Sequence, residues 1–406
     1  MAEEFDVIVL GGGPSGSSAA AFLSKAGKKV LLLDRAKFPR DKICGDGISG
    51  RSVSVLNELG VLNGFKGVEH MEMYGVTFSS PDGTVVPISS RKEGMTDPPG
   101  FVCRREVFDN VIFQFAKKLC AKTIEGFLAS DLLMEGGKVV GVKGALDGKG
   151  MEFRAKVLVG ADGAAGITAR KLEAANTDPD HQCAAVRCYY EGVEGMGDKI
   201  ELHFIKGVLP GYFWIFPLPG KKANVGIGML VRDMKKKKVN LQKLMSDTIE
   251  GHPAFQERFK SAKRSTDVKS WMLPLASKRM KIAGDGYVLV GDAASLIDPF
   301  SGEGIGNALT SGRLASRAIL DAFGKGDFSE AVLSQYPRAL WDEIGDEITT
   351  NHRMQKMANN TFLLNLVIGK ADRSEEIKGM ISNALINPNE HTKLVDPMFI
   401  LRALLA

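Results

Sequence analysis

The sequence predicts an α/β fold in which a parallel-sheet domain carries an inserted, mainly antiparallel sheet and is followed by a helical C-terminal region. Two short apolar segments, residues 5–10 and 30–33, flank a glycine-rich turn and a helical segment, which indicates parallel strands. Alternating apolar and polar positions at residues 185–190, 199–205 and 211–216 are typical of antiparallel strands. The C-terminal region shows helical patterns.

Chain length indicates more than one lobe, because 406 residues exceed the size at which a single hydrophobic core stops growing. We predict a discontinuous first lobe, a sheet lobe inserted into it and a helical tail. The predicted bounds are 1–75, 100–172 and 268–345 for the first lobe, 76–99 and 173–267 for the sheet lobe, and 346–406 for the tail. The tail has apolar clusters that we expect to pack on the body, with docking on a bilayer as the alternative. These clusters are residues 362–368 and 398–401.

Charge and cysteine content exclude several classes of protein. The net charge is only +5, and the basic run at residues 235–238 has no interleaved aromatics, so we interpret it as a solvated loop and predict no nucleic-acid partner. Five cysteines without a CxxC pair predict a reducing cytoplasmic location, with neither a disulfide framework nor a metal site. We find no secretory signal and no apolar run long enough to span a membrane, which leaves peripheral contact with its inner face as an alternative.

The N-terminal segment carries a dinucleotide-binding pattern. The run from Gly11 to Gly16 matches G-x-G-x-x-G between a strand and a helix, and Asp34 ends the next strand about 20 residues later. Gly11 permits the tight turn, Gly13 lets the backbone approach a pyrophosphate, and Gly16 lets helix and strand pack closely. The helix N-terminus offers free N–H groups, and Asp34 can accept hydrogen bonds from a ribose. The predicted nucleotide-binding residues are Gly11, Gly13, Pro14, Ser15, Gly16, Asp34 and Arg35.

Two further glycine–aspartate turns follow apolar strands. Asp162 and Gly163 close one of them, and Gly291-Asp292 follows the other, where Asp292 is a candidate to hold a ribityl or ribose hydroxyl. A glycine-broken loop then leads into a helix whose N-terminus is suited to face the pyrimidine edge of a flavin, because reduced flavin carries negative charge near N1. The loop and helix-start residues assigned to this site are Pro299, Gly302, Gly304 and Ile305.

These three motifs, in this order, resemble those of the para-hydroxybenzoate hydroxylase superfamily of flavoproteins. The resemblance implies a Rossmann-like FAD-binding domain and FAD as the cofactor. It also implies that Arg105 is the flavin-contacting arginine of an R-x-x-[FL] motif, that Asp292 is the aspartate of the GD motif, and that Ala129 contacts the adenine through its backbone. Arg104 is interpreted as a surface residue.

Two more segments are similar to the geranylgeranyl reductase family. Residues 38–47 read FPRDKICGDG, and residues 212–217 read YFWIFP, followed after a spacer by Gly226-Ile227-Gly228. The family signature combines a C-G-D-G loop with Y-x-W-x-F-P and G-x-G. The resemblance implies an FAD-dependent reductase that saturates geranylgeranyl-type chains. The loop residues assigned to the cofactor are Cys44, Gly45 and Gly47.

The catalytic and substrate-binding candidates come from the same two segments. Cys44 is a candidate proton donor or flavin gate, with a small buried loop residue as the alternative interpretation. Asp46 is a second candidate for a proton relay. On a strand, Tyr212, Trp214 and Phe216 share one face, which is either plain core or the wall of a prenyl cavity that also includes Pro217. Trp214 and Tyr212 are further catalytic candidates, because their ring faces can stabilise a cation formed by protonation of an alkene.

The same fold also allows other functions, which are alternatives to the reductase. A monooxygenase or halogenase would consume oxygen over a smaller pocket, and a non-catalytic FAD protein would act as a redox sensor or prenyl-lipid carrier. The predicted partner is an isoprenoid lipid substrate, with a weak preference for a quinone tail over an ether lipid or a chlorophyll side chain. Because no second dinucleotide pattern follows, NADPH, ferredoxin and quinol all remain electron-donor candidates.

Overall fold

A computed structural model describes residues 3–91 and 98–386 of the chain. The predicted apolar cluster at residues 398–401 lies outside the described residues. Within them, the strands in chain order are β1 (Glu4–Leu10), β2 (Val30–Asp34), β3 (Gly47–Ile48), β4 (Met71–Met73), β5 (Gly75–Ser79), β6 (Val85–Ser89), β7 (Gly100–Val102), β8 (Lys122–Glu125), β9 (Leu128–Glu135), β10 (Lys138–Leu146), β11 (Lys149–Gly160), β12 (Gln182–Glu191), β13 (Ile200–His203), β14 (Tyr212–Leu218), β15 (Lys222–Leu230), β16 (Lys263–Arg264), β17 (Lys269–Pro274), β18 (Ala283–Gly284) and β19 (Tyr287–Leu289).

The α-helices of the described residues cover the sheets and form the C-terminal region. They are α1 (Pro14–Lys25), α2 (Gly50–Leu59), α3 (Arg105–Leu119), α4 (Ile167–Lys171), α5 (Val231–Lys237), α6 (Leu241–Gly251), α7 (Pro253–Phe259), α8 (Ile305–Lys325), α9 (Glu330–Leu333), α10 (Gln335–Met357), α11 (Thr361–Arg373) and α12 (Glu375–Ile386). Among the described residues we find no helix with the length and hydrophobicity needed to cross a membrane.

The first sheet is the parallel sheet of the nucleotide-binding domain. Its strand order is β18-β19-β11-β1-β2-β8, and β1 pairs in parallel with both β2 and β11. Val7, Ile8 and Val9 of β1 are fully buried in the main apolar cluster, which also contains residues of α1, α3 and α8 and of the strands β9 and β10. Helix α1 packs between α3 and α8, and the antiparallel β9–β10 hairpin extends the sheet from β11. The predicted Rossmann-like α/β class is therefore confirmed.

The second sheet is mainly antiparallel and has the order β16-β12-β15-β14-β13-β5-β6, with β17 paired to β12. The alternation along β14 gives its two faces different neighbours. Phe213 and Ile215 are buried against α6 and α7 in an apolar cluster with Met245 and Phe255. The opposite face carries Tyr212, Trp214 and Phe216 and turns toward the first domain.

Two of the predicted lobe bounds differ from the architecture. The bound at 268 assigns β17 to the first lobe, but β17 pairs with β12 in the second sheet from Lys269 to Pro274. The bound at 345 falls inside α10, which runs unbroken from Gln335 to Met357 and packs on α8. The predicted bounds were placed where the amino-acid composition changes. The helix and the strand pairing instead extend as far as their backbone hydrogen bonds continue, so they cross these bounds.

Candidate active site

One large cavity of about 1150 Å³ separates the two sheets. It begins at the first turn of α1, passes along the inner face of the second sheet, and reaches the C-terminal helices. The sequence-predicted residues that line it are Gly13, Pro14, Ser15, Cys44, Gly45, Gly47, Arg105, Gly163, Tyr212, Trp214, Phe216, Asp292, Pro299, Gly302, Gly304 and Ile305.

The three glycines of the N-terminal motif have different surroundings. A Cβ on Gly16 would lie 1.8 Å from the Gly11 carbonyl oxygen, and one on Gly11 would lie 2.2 Å from the Ala161 carbonyl oxygen. These two positions allow close packing of α1 against the strand ends. Gly13 instead faces open space, where a guanidinium nitrogen of Arg40 is the sole described atom within 4 Å of an added Cβ, at 3.6 Å.

The first turn of α1 fits a dinucleotide diphosphate. In the described part of the chain no side chain caps this helix and no acidic residue occupies its first turn. Its leading N–H groups therefore lack intrahelical acceptors and point toward the cavity at Gly13 and Ser15. With Arg40 beside Gly13, the donor set matches the oxygens of a phosphate, so the residues present fit the diphosphate of FAD.

Asp34 lies behind the cavity wall, deeper than a direct contact with a ribose would require. Its carboxylate accepts hydrogen bonds from the backbone N–H of Gly12 at 2.6 Å and of Ala36 at 2.7 Å, and the residue is buried. It therefore fixes the glycine turn, while its neighbour Arg35 is exposed. Several other predicted site residues are not among the described residues that line this cavity. They are Gly11, Gly16, Asp46, Ala129, Asp162, Pro217 and Gly291.

Arg105 is held in a buried ion-pair network at the cavity wall. Its guanidinium donates to both carboxylate oxygens of Asp109, at 2.6 and 2.8 Å, and Arg40 donates to the same carboxylate at 2.6 Å. Burial disfavours the charged form of Arg105, but the Asp109 carboxylate and the Cys44 side chain outweigh it and raise its pKa. Arg105 therefore stays cationic beside the cavity.

The turns of the later motifs meet the same cavity. Gly291 has φ of +60°, and a Cβ there would lie 2.6 Å from the Ser15 hydroxyl, so a side chain would push the turn off α1. Asp292 follows it on the cavity wall and accepts from Lys42 at 3.3 Å. Asp162 is turned away and holds its own loop by accepting from the Thr168 backbone N–H at 3.0 Å.

The aromatic residues of β14 pack on glycines. This packing explains why the family signature combines aromatic positions in Y-x-W-x-F-P with glycines in C-G-D-G and G-x-G. Phe216 covers Gly45 and Gly47, whose added Cβ atoms would lie 3.0 and 3.3 Å from its ring. The Trp214 ring lies over Gly226, where a Cβ would be 2.2 Å away. Tyr212 donates its hydroxyl hydrogen to the Ser301 carbonyl, beside Gly302. Any larger residue at these glycines would displace an aromatic ring.

A buried amide connects the glycine loop to the aromatic strand. The Asn224 Oδ1 accepts from the Trp214 indole Nε1 at 3.0 Å, and its Nδ2 donates to the Cys44 carbonyl at 2.7 Å and to Asp46 Oδ2 at 2.8 Å. Tyr189 also donates its hydroxyl to Asp46 Oδ2, at 2.6 Å. Asn224 and Tyr189 were missed by the sequence analysis, although Asn224 lies in the spacer of the signature.

Asp46 is an ionisable group at the centre of this network. It is fully buried, has φ of +69°, and also accepts from the Arg105 backbone N–H at 3.3 Å. Burial raises the pKa of its carboxyl group to about 6, against the lowering effect of hydrogen bonds from Tyr189 and Asn224. The unfolded chain therefore binds fewer protons than the folded chain between about pH 4 and pH 6, and ionisation of Asp46 costs stability as pH rises through this window.

Asp46→Asn should thus gain stability relative to the wild type as pH rises. Between about pH 4.5 and pH 7 we expect a relative gain of about 2 kcal/mol, because the variant has no carboxyl group to ionise in this site. Urea unfolding of both FAD-loaded proteins at the two pH values measures it. A constant difference between the proteins across this range would mean that Asp46 does not titrate there.

The far end of the cavity is apolar. It is formed by the inner face of β13, β5 and their loops together with the C-terminal helices. The residues at this end are Val76, Phe78, Leu202, Phe204, Leu364, Val367, Ile368 and Ile381. The structure thus brings together a turn whose geometry fits a diphosphate, an aromatic wall and an apolar chamber in one continuous space.

Comparison with known proteins gives consistent relatives. A family profile described as "FAD binding domain" matches residues 4–339. The digeranylgeranylglycerophospholipid reductase of Methanocella arvoryzae is 30% identical over 378 residues, which are 89% of this chain and 90% of that protein. The menaquinone reductase of Mycobacterium tuberculosis is 32% identical over 355 residues, covering 86% and 83% of the two chains.

Solved structures agree with the fold. A geranylgeranyl bacteriochlorophyll reductase-like protein from Thermoplasma acidophilum has a TM-score of 0.84 and 25% identity, over 97% of this chain and 99% of that chain. A flavin-dependent brominase has a TM-score of 0.80 with 22% identity, over 99% and 98% of the two chains. The second likeness concerns the fold alone.

Proposed function

The chain belongs to the geranylgeranyl reductase family of FAD-binding oxidoreductases, and from this premise we propose that it saturates carbon–carbon double bonds in the geranylgeranyl-type chain of a prenyl lipid. The observation that carries the proposal is the continuity of the cavity from the nucleotide turn, past the aromatic wall, to the apolar end. An isoprenoid chain presents only apolar surface, and a chamber lined by aliphatic and aromatic groups can bury it.

Saturation of an isolated isoprenoid double bond requires one hydride and one proton. When bound and reduced by an electron donor, FAD would supply the hydride. An isolated alkene has no carbonyl group to spread negative charge, so its protonation gives cationic character to the more substituted carbon. The rings of Tyr212, Trp214 and Phe216 border the cavity, and aromatic faces attract a cation. The apolar walls also exclude water that would capture such a carbon.

Cys44 is the proton donor in this proposal. Its side chain lies at the cavity wall, and its carbonyl is held by Asn224, which also binds the Asp46 carboxylate. Asp46, with its pKa raised to about 6, can exchange a proton near neutral pH. We therefore assign proton delivery to Cys44 and proton storage behind the loop to Asp46.

The proposed FAD contacts follow the geometry of the cavity. The first turn of α1 and Arg40 hold the diphosphate, Asp292 holds a ribityl hydroxyl, and the backbone at Gly304 and Ile305 faces the pyrimidine edge. Arg105 keeps positive charge near the flavin ring. Asp34 acts through the Gly12 N–H, which its carboxylate binds.

Anaerobic turnover of the reduced flavin tests the proposed function. The FAD-loaded protein is reduced, mixed with a geranylgeranyl lipid, and followed by visible absorbance and by mass spectrometry of the lipid. Reoxidation with two hydrogens gained per double bond supports the reductase. Reoxidation that needs oxygen and leaves the chain unsaturated would favour a monooxygenase or halogenase, and flavin that stays reduced would favour a carrier or sensor. NADPH, ferredoxin and quinol are compared as donors in the first step.

Peripheral contact with the inner face of a membrane is part of the same proposal. Phe362 on α11 is 73% exposed, and Leu364, Val367 and Ile368 of the same helix line the apolar end of the cavity. An exposed aromatic beside the apolar end would let a lipid pass from a bilayer into the chamber.

Trp214→Leu should slow the reduction step more than it weakens substrate binding. The variant keeps an apolar side chain but loses the ring face, and a cation–π contribution of about 1–2 kcal/mol corresponds to a rate loss of about tenfold. Single-turnover reoxidation at several lipid concentrations separates the rate constant from the apparent dissociation constant. Trp341→Leu is the matched control, because Trp341 is not among the residues that line the cavity. Equal effects of Trp214→Leu on rate and binding would remove the cation argument.

A further inference from the structure

A polar seam connects the cavity with the protein surface between α2, α8 and α10. Helices α2 and α10 both pack against α8, and the three helices turn polar residues of the cavity lining toward one another, three or four positions apart along each helix. These residues define the seam, and they are Arg51, Ser54, Thr310, Arg313, Glu343 and Glu347. At the outer end of the seam the Glu343 side chain is 37% exposed, so solvent reaches the seam there.

The carboxylate of Glu303 lies at the inner end of the seam, directly before the start of α8, and it also lines the cavity. A Cβ on Gly306 would lie 2.8 Å from Glu303 Oε1 and 2.9 Å from the Ser49 hydroxyl. The Arg51 Cβ would be 3.2 Å away, so three polar side chains converge over this glycine. The Ser49 hydroxyl donates to Glu303 Oε1 at 3.1 Å, and the Gly306 N–H donates to the same oxygen. Oε2 can therefore carry a proton without breaking either bond.

Two buried polar atoms of the seam have no hydrogen-bond partner among the described residues. They are the hydroxyl oxygen of Thr310 and the Nε of Arg313. Thr310 is fully buried and lines the cavity. Buried polar atoms in folded proteins are nearly always paired with protein groups or with ordered water. Since the side chains around these two atoms do not serve them, water is the partner that a polar passage open to solvent can supply.

The carboxyl groups along the seam can exchange protons near neutral pH. Burial raises the pKa of Glu347 to about 6, against the lowering effect of Arg51. Burial also raises the pKa of Glu303, against the lowering effects of a backbone hydrogen bond and of Arg51. The neighbouring carboxylates of Asp298 and Glu347 add to this rise. A carboxyl group that titrates near the ambient pH both takes up and releases protons readily.

Each cation of the seam is paired with a carboxylate. Arg51 donates to Glu347, which links α2 with α10. Arg313 donates to Glu58 at 2.9 Å and to both carboxylate oxygens of Glu343, at 2.5 and 2.7 Å. The positive charges along the seam are therefore compensated, and the repulsion that a lone guanidinium would exert on an entering proton is reduced.

We propose that the polar seam is the route by which protons pass from solvent to Glu303, which restores the protons that the reaction in the cavity consumes. The inference rests on the proposed function, in which each saturated double bond gains one hydride from the reduced cofactor and one proton that comes from solvent. The apolar walls exclude water, so this proton needs a polar path. From Gly306 to Arg313 the axis of α8 rises roughly 10 Å, too far for one hydrogen bond, so ordered water completes the route. Glu303 is the proton carrier, and Thr310 is a positioning residue that holds the water.

Proton uptake without any lipid tests the route. The FAD-loaded protein is reduced by a light pulse with a sacrificial electron donor in weak buffer, and a pH-indicator dye reports how fast protons leave the solvent. We expect Glu303→Gln and Thr310→Val each to slow this uptake about tenfold or more. Thr310→Val keeps the shape of the side chain and removes the hydroxyl, whereas Thr310→Ser keeps the hydroxyl and should restore most of the rate. Asp346→Asn is the matched control, because it removes one exposed carboxylate of α10 that is not among the residues lining the cavity.

Reduction of a geranylgeranyl lipid in a single turnover is measured on the same proteins. If the wild type reduces no lipid but its proton uptake depends on Glu303 and Thr310, the proposed function fails and the proton route stands. If the lipid is reduced and both variants take up protons as fast as the wild type, the route is wrong and the reductase stands. Should Glu303→Gln purify without flavin, Thr310→Val decides: slow uptake that Thr310→Ser restores supports the route, and unchanged uptake overturns it. Equal slowing by Thr310→Val and Thr310→Ser would also overturn it, because the hydroxyl would then have no part in the effect.

Discussion

Gly16→Ala is expected to give a protein that purifies almost without flavin. The alanine Cβ would lie 1.8 Å from the Gly11 carbonyl oxygen and 3.0 Å from the Ala161 Cβ, so α1 must move away from the ends of β1 and β11. The first turn of α1 carries the N–H groups that fit the diphosphate, so this displacement separates the donors from Gly13, Arg40 and the rest of the site. We expect the flavin-to-protein ratio to fall to about a tenth or less, with a strain cost of about 3 kcal/mol.

The ratio of flavin absorbance to protein absorbance after purification measures this effect, and thermal unfolding gives the accompanying change in Tm. Gly324→Ala is the matched control. Gly324 lies in the last turns of α8, and no described atom comes within 4 Å of an added Cβ there. This control should keep its flavin and gain slightly in stability from the helix propensity of alanine. Full flavin content in Gly16→Ala, with an unchanged Tm, would contradict the packing role of this glycine.

Local patterns predicted the parts of the fold that depend on short stretches of chain. The motif from Gly11 to Gly16 predicted the strand–turn–helix start, and the alternation of Tyr212, Trp214 and Phe216 predicted that they share one face. These predictions depend on the repeat of a strand and the φ range open to glycine, both of which are properties of neighbouring residues. The pairing of β17 with β12 depends on a partner far along the chain, and the predicted lobe bound at 268 missed it.

The site residues that the sequence did not predict are polar groups whose partners are distant in sequence. Arg187 meets Asp41, and Asn224 meets Cys44, across separations of 146 and 180 residues. The spacing of residues within a short segment of sequence cannot indicate such distant pairs. The signal that points to them is indirect: an asparagine or arginine within an otherwise apolar strand has to find partners when it is buried. Asn224 and Arg187 both stand in such strands, which makes this a usable rule for related sequences.

Asn224→Asp should destabilise the folded protein by about 3 kcal/mol or more at neutral pH. The change keeps the size of the side chain and leaves an oxygen to accept from the Trp214 indole. It replaces the two donations from Nδ2 with an oxygen that faces the Cys44 carbonyl at 2.7 Å and Asp46 Oδ2 at 2.8 Å. Two carboxylates would then adjoin in a fully buried site, so one of them must stay protonated.

The second carboxylate raises the pKa of the pair above the value of about 6 that Asp46 has in the wild type, so the variant takes up the shared proton at higher pH than the wild type does. The destabilisation should therefore shrink as pH falls from above neutral to about 6. Urea unfolding at neutral and mildly acid pH measures both the loss and its pH dependence. Asn240→Asp makes the same chemical change at the start of α6. Among the described residues, the Asn240 side chain uses its oxygen alone, to accept from the Lys243 N–H, so this change should cost little. In this variant the Cys44 carbonyl loses its hydrogen-bond donor, while the Trp214 indole keeps its acceptor. If the reduction rate falls and the substrate affinity stays unchanged, Asn224 acts in catalysis by positioning the glycine loop and not the indole. A variant as stable as the wild type at neutral pH would mean that Asn224 does not hold the loop and the aromatic strand together.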